Sequence, residues 1–259
     1  MLEAEFIPLE EIQLGTLADR EDTAWFAKDI KEMEVSASEI SSIICHYPLC
    51  IKYYENEPRL TCLFGLDDRG NLFVDANGFW SAAYSPVSIR AWPFGIRETP
   101  DRNQLGIGLA KSSVGPEESS FSESFTVLIS EKEFSETTLT AIDMLKPILN
   151  TIGPTRKVVK YLEQLDLITP WKIQINDDGK LIDVGGIFQI NEQRLQSLPA
   201  ESLKFLALKG GLGLAYAQIL SQSRIENLQE RLIQGKETIR AKTALVENAS
   251  GGKIEFDFL

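Results

Sequence analysis

The chain has 259 residues, 43% of them hydrophobic and 25% charged, with a net charge of −12 and a pI near 4.7. A chain of this length buries roughly three quarters of its extended surface, as one large domain or two small ones. Phosphate backbones and anionic membrane surfaces both demand clustered Lys and Arg, so neither nucleic acid nor membrane insertion is expected of so acidic a chain.

Residues 1–39 hold eleven Asp or Glu against Arg20, Lys28 and Lys31. That imbalance reads as a solvated acidic arm, or as one that docks on a basic partner. No secretory signal is visible at the start, and no run of about 18 apolar residues suggests a membrane span. Ser36-Ala37-Ser38-Glu39 has capping-box form and predicts a helix of about ten residues ending before Pro48. β-type runs follow at 49–54 and 60–66, joined by Glu55-Asn56-Glu57-Pro58. Asp67-Asp68-Arg69-Gly70 is a further turn, 72–75 a short strand, Asn77-Gly78 a type I′ hairpin signal, and 104–110 another strand. The Ser-rich residues 111–124 read as a mobile loop.

From residue 125 the pattern is mainly helical. Leu139, Ile142, Leu145, Leu149 and Ile152 predict an amphipathic helix stopped by Gly153-Pro154, and Val158, Leu162 and Leu165 predict the next. Segments 171–175 and 180–190 flank Asn176-Asp177-Asp178-Gly179 as a hairpin. Pro199 opens a helix that Gly210-Gly211 ends, and a longer helix runs from about 212 to at least 233. Its charged and apolar positions suit either the core or homo-oligomer formation. Residues 254–259 read as a strand or docking tail. The expected fold class is α+β: a twisted, mainly antiparallel sheet from the first half packed against helices of the second, in one integrated domain.

The usual catalytic sets are missing. A single histidine cannot build a three-His zinc site or a two-His iron triad. Cys45, His46, Cys50 and Cys62 lack a C-x₂-C knuckle, so no metal and no cofactor is expected. Three cysteines in apolar surroundings suit reduced thiols in a cytoplasmic protein. No G-x-S-x-G elbow or phosphate-binding glycine loop occurs.

The richest segment is Asn71-Leu72-Phe73-Val74-Asp75-Ala76-Asn77-Gly78-Phe79-Trp80, followed by Tyr84, Pro86, Arg90 and Trp92-Pro93-Phe94-Gly95. Trp80, Tyr84, Trp92 and Phe94 are either core or the walls of an aromatic pocket in which Arg90 grips a carboxylate or phosphate. Together with Tyr47, His46 and Asp75 they are the candidate ligand-binding residues.

These motifs, with Leu167-Ile168-Thr169-Pro170-Trp171, Gly186-Ile187-Phe188-Gln189-Ile190-Asn191-Glu192 and Leu214-Ala215-Tyr216-Ala217-Gln218-Ile219-Leu220-Ser221, resemble the SapC family of bacterial surface-layer-associated proteins. The likeness covers most of residues 47–232, in the family's order. The family pattern carries two arginines before the aromatic-Pro-Phe. Here Ala91 stands in the second place, which leaves one prong of an anion clamp. The resemblance carries over no catalytic residue. The dense aromatic-Arg segment beside a missing catalytic set leads to the expectation of a SapC-like non-enzymatic binding or accessory protein that presents residues 80–94 to a protein partner or a small anionic ligand. The alternatives are an enzyme acting on an amino-acid-like or modified-peptide substrate around Tyr47, His46, Asp75 and Arg90, and a surface-layer structural component. The last needs a leaderless export route through Glu255-Phe256-Asp257-Phe258-Leu259. A permease of the same name needs membrane-spanning helices that this sequence does not offer.

Overall fold

The computed structural model describes residues 5–12, 17–19, 23–98, 105–114, 125–127, 129–130, 133–177 and 180–235. Most of the loop expected at 111–124 and all of the tail at 254–259 lie outside them. Two antiparallel sheets carry the fold. The smaller pairs Phe6–Pro8 (β1) and Phe94–Glu98 (β6) with Leu105–Ala110 (β7), in the order β1-β7-β6. The central sheet is built from Glu32–Glu34 (β3), Leu49–Tyr54 (β4), Glu57–Leu63 (β5), Ile168–Pro170 (β11) and Phe188–Ile190 (β14). Its order is β11-β14-β4-β5-β3. Two-stranded pairs join Leu17–Asp19 (β2) to Phe125–Val127 (β8), Ile129–Ser130 (β9) to Glu133–Phe134 (β10), and Ile173–Asp177 (β12) to Lys180–Val184 (β13). The helices are Ile40–Ile43 (α1), Val87–Arg90 (α2), Glu136–Gln164 (α3), Glu192–Gln196 (α4), Ala200–Leu208 (α5), Gly211–Ser221 (α6) and residues 224–235 (α7). The architecture is α+β. Among the described residues no single helix is long and apolar enough to cross a membrane.

Several local expectations change. The β4–β5 turn is Glu55-Asn56 alone, both at positive φ (50° and 65°), which is the type I′ geometry and starts β5 at Glu57. Residues 72–75 form no regular strand; Val74 makes one isolated bridge to Trp80. Of the Asn77-Gly78 pair only Gly78 has positive φ, so that turn is not type I′. The expected hairpin arm at 180–190 divides: β13 pairs with β12, while β14 leaves to join the central sheet.

Gly153-Pro154 does not stop a helix. Helix α3 runs unbroken for 29 residues with Pro147 and Pro154 inside it, capped by the Ser135 hydroxyl accepting from the Thr138 N–H. Burial on both sides of the prolines outweighs a local loss of about 3 kcal/mol. Ala141, Leu145 and Ile148 pack with Phe94, Ile96 and Leu109 of the smaller sheet, whereas Val159 and Leu162 enter the main core. One rod thus spans two hydrophobic clusters. The long helix expected after 212 breaks at Gln222-Ser223 into α6 and α7.

The acidic N-terminal stretch is not a free arm where it is described. The Glu34 side chain of β3 is only 7% exposed and accepts from Arg156 of α3 at 2.7 and 2.8 Å, and from Arg59 of β5 at 3.3 Å. Arg156 also donates to Glu98 at 2.6 Å. Burial alone would raise the Glu34 carboxyl, but the Arg156 hydrogen bonds and the two guanidinium charges hold it below its ordinary range. Glu32 accepts from Lys52 at 2.5 Å and Tyr54 at 2.9 Å.

Helix α6 completes the central sheet. Strands β14 and β4 share one register pair, Phe188↔Ile51. Beyond it, fully buried Gln218 donates from Nε2 to the Leu49 carbonyl at 3.0 Å and accepts from the Ile190 N–H at 2.9 Å. Ser221 accepts from the Leu49 N–H at 2.9 Å. Side chains of one helix stand in for missing ladder bonds.

Candidate functional site

The 71–95 segment is held by its own polar groups. Buried Asn71 donates to the Ala27 carbonyl at 3.0 Å and accepts from the Phe73 N–H at 2.9 Å. Asp75 is exposed, and its Oδ1 accepts from the Asn77 and Phe79 N–H groups. It therefore shapes a turn and does not join the other candidate residues. The Trp92-Pro93 peptide is cis.

Around Tyr47 the rings form a stack with two hydrogen-bonded layers. Tyr47 is fully buried and lies edge-on to Phe64 and Phe73 at 5.5 and 4.8 Å. Its hydroxyl donates to the Tyr84 carbonyl and accepts from Trp80 Nε1 at 2.8 Å. Trp80 is half-buried and stacks on Phe73 at 6.0 Å. Burial pushes the Tyr47 phenol well above its ordinary value. Tyr84 is half-buried; its hydroxyl donates to Glu39 Oε1 at 2.7 Å, and burial together with that carboxylate pushes it up to about 12. His46 stacks on Tyr84 at 6.4 Å, and the Arg90 guanidinium lies 5.5 Å from the Tyr84 ring centre. Arg90 is exposed and donates from Nε to the Ser85 carbonyl at 2.9 Å. No carboxylate among the described residues forms an ion pair with it.

The structure thus gathers Tyr47, Trp80, Tyr84, His46 and Arg90. Trp92 lies elsewhere, stacked on Phe26 at 4.3 Å, and Phe94 is sealed in the core beside the smaller sheet. These two rings pack against other parts of the fold. Cys50 and Cys62 are buried, free, and out of register, Cys62 facing Leu49. Among the described residues no group of three His, Cys, Asp or Glu could hold a metal ion.

Two site residues escaped sequence reasoning. Glu39 is not the far end of a capping box. It is 5% exposed, Ser36 makes no cap, and the Glu39 carboxylate instead accepts from Tyr84 and from the Val87 N–H at the start of α2. Its signal, a Glu three residues after Ser, is shared by surface caps. Arg231 of α7 places its guanidinium 4.4 Å from the Phe73 ring and donates to Ser81 Oγ at 2.8 Å. Burial lowers its affinity for its proton. It sits among alternating charges on a helix, and no local pattern marks it. Replacing Glu39 with leucine strands the Val87 N–H and the Tyr84 hydroxyl. A loss of about 1–3 kcal/mol is expected in urea unfolding, and less for Glu39→Gln, which still accepts.

A family model described as SapC matches residues 16–228. The chain belongs to the SapC family. No curated protein and no solved structure matches it. The matched span ends inside α7 and leaves out β1, so it takes in the central sheet, β6 and β7 of the smaller one, α3, and the α6 side chains that close the central sheet.

Proposed function

We propose that this SapC-family chain is a non-enzymatic binding protein that receives an acidic group, from a protein partner or a small anionic ligand, on the face made by Arg90, Tyr84 and His46. The observation that supports it is the state of Arg90. Its Nε is occupied by Ser85, its guanidinium is stacked near Tyr84, and no carboxylate among the described residues neutralises it. A planar guanidinium supported on an aromatic ring is suited to grip a carboxylate or phosphate through its remaining N–H groups. Several groups that acid–base chemistry would recruit, Tyr47, Glu39 and Asp75, are already committed to structural hydrogen bonds. Tyr47 and Trp80 bond each other and the Tyr84 carbonyl, Glu39 carries Tyr84 and α2, and Asp75 ties a turn.

The test is capture of partners from cell extract, with a thermal-shift screen of dicarboxylates and phosphates, on the parent and on Arg90→Ala. The variant should melt as the parent does, because Arg90 is exposed, yet lose the captured partner or anion. Arg90→Lys should recover only part of the binding, since an ammonium cannot reproduce the bidentate fork. An Arg90→Ala protein that keeps every partner and ligand of the parent sinks the reading.

A further inference from the structure

An open groove runs between the second half of α3 and the corner where α5 meets α6. One lobe, about 450 Å³, lies between Val158 and Tyr161 of α3 and Phe205 of α5. The other, about 540 Å³, passes Gly213 and Leu220 of α6 and reaches Ile44. Pro154, Val158 and Lys209 border both lobes, which makes them one trough. Its α3 wall extends from residue 151 to 164, a rise of about 20 Å.

Three properties set this trough apart from ordinary surface. Large apolar side chains are left uncovered along it: Phe205 is 43% exposed and Leu220 67%. Grouped exposure of that kind marks an interaction surface. Its charge opposes that of the molecule. Acidic residues outnumber basic ones 38 to 26 in the chain, yet no Asp or Glu lines either lobe. The charged residues there are Lys157, Lys160 and Lys209. Lys160 is held by Glu57, while Lys157 and Lys209 form no ion pair among the described residues. Finally, the surface of α6 at Gly213 is open. A Cβ built on Gly213 meets nothing within 4 Å. Glycine there leaves this stretch of α6 without a side chain, at a cost of about 1 kcal/mol in helix propensity relative to alanine.

We infer that this groove docks an acidic amphipathic helix of a partner protein, with its apolar side chains in the two lobes and its carboxylates against Lys157 and Lys209. Helix-in-groove recognition reads anchors spaced one turn apart, and a wall of about 20 Å accommodates about 13 residues. This site is distinct from the Arg90 face.

The test uses the full chain and two labelled helical peptides of about 13 residues. Both carry Leu at every third or fourth position, one with Glu between the leucines and the other with Lys. Fluorescence anisotropy should show saturable binding of the Glu peptide and binding at least about tenfold weaker for the Lys peptide. Lys157→Glu/Lys209→Glu should invert that preference. Gly213→Phe should abolish binding of the Glu peptide while leaving the far-UV circular dichroism and melting point intact. The lysine pair is exposed, so the charge reversal decides the matter even if Gly213→Phe fails to fold. Equal affinity for both peptides, or an unaltered preference after charge reversal, overturns the inference. So does saturable uptake of dodecanoate with no peptide binding, or self-association of the chain that Gly213→Phe abolishes while neither peptide competes.

Discussion

Arg156→Met is expected to destabilise the chain by about 3 kcal/mol, the low end of the range for removing one partner of a buried ion pair. Glu34 would stay in a site that is 7% exposed and lose the guanidinium that bonds both its oxygens. Arg59 remains at 3.3 Å and Arg156 itself is 20% exposed, which keeps the loss from the top of that range. The pH dependence separates this from a simple packing defect. Glu34 has a folded-state pKa below its unfolded one. Its ionisation therefore adds stability in full above the ordinary carboxylate range, and the contribution drains away as pH falls through the depressed folded value. Urea midpoints measured from neutral pH downward should show that fall in the parent. In Arg156→Met the slope should flatten, because Glu34 stays just as buried while losing the hydrogen bonds and charge of Arg156 that favour its ionised form. A variant with the parent's slope would mean that Arg156 contributes packing alone.

Gln218→Leu is expected to cost about 2–5 kcal/mol, though the side chains are similar in size. It strands the Leu49 carbonyl and the Ile190 N–H in the core, and each unsatisfied buried group costs about 1–3 kcal/mol. Gln218→Glu still accepts from Ile190, but it can donate to the Leu49 carbonyl only while its carboxyl is protonated. It should fall between parent and Gln218→Leu where the carboxyl is protonated, and lower at neutral pH. Hydrogen exchange offers a local check. The Ile190 amide should lose protection in Gln218→Leu well beyond any global change. Unchanged protection there would show that Gln218 does not stand in for the ladder.

Local chemistry made part of this fold readable. Glu55-Asn56-Glu57-Pro58 between two β-rich runs marks a hairpin, whose turn is Glu55-Asn56 alone, and Pro199 with Gly210-Gly211 brackets α5. Where local and distant terms compete, the sequence misleads. Gly153-Pro154 is a helix terminator by propensity, but the apolar stripe of α3 has a core to meet on each side of it. Glu39 fits a cap and also fits a buried acceptor for Tyr84 and Val87; the choice is made by residues some 45 positions away. The aromatic segment is dense, but density does not sort Trp80 and Tyr84, which meet Tyr47, from Phe94, which fills another core. The groove was beyond reach because its walls come from α1, α3, α5 and α6, and its defining feature at Gly213 is an absent side chain.

The bonds that Gln218 and Ser221 make to Leu49 cross 169 and 172 positions of chain. During synthesis, therefore, β4 leaves the ribosome long before the helix that seals its flank exists. Until α6 emerges, the nascent polypeptide exposes an unfinished sheet edge of the kind that recruits stray strands. Pairings of such separation also make for slow closure of the fold. Production in the cell should accordingly depend on chaperones that shield the early half until translation has passed residue 221.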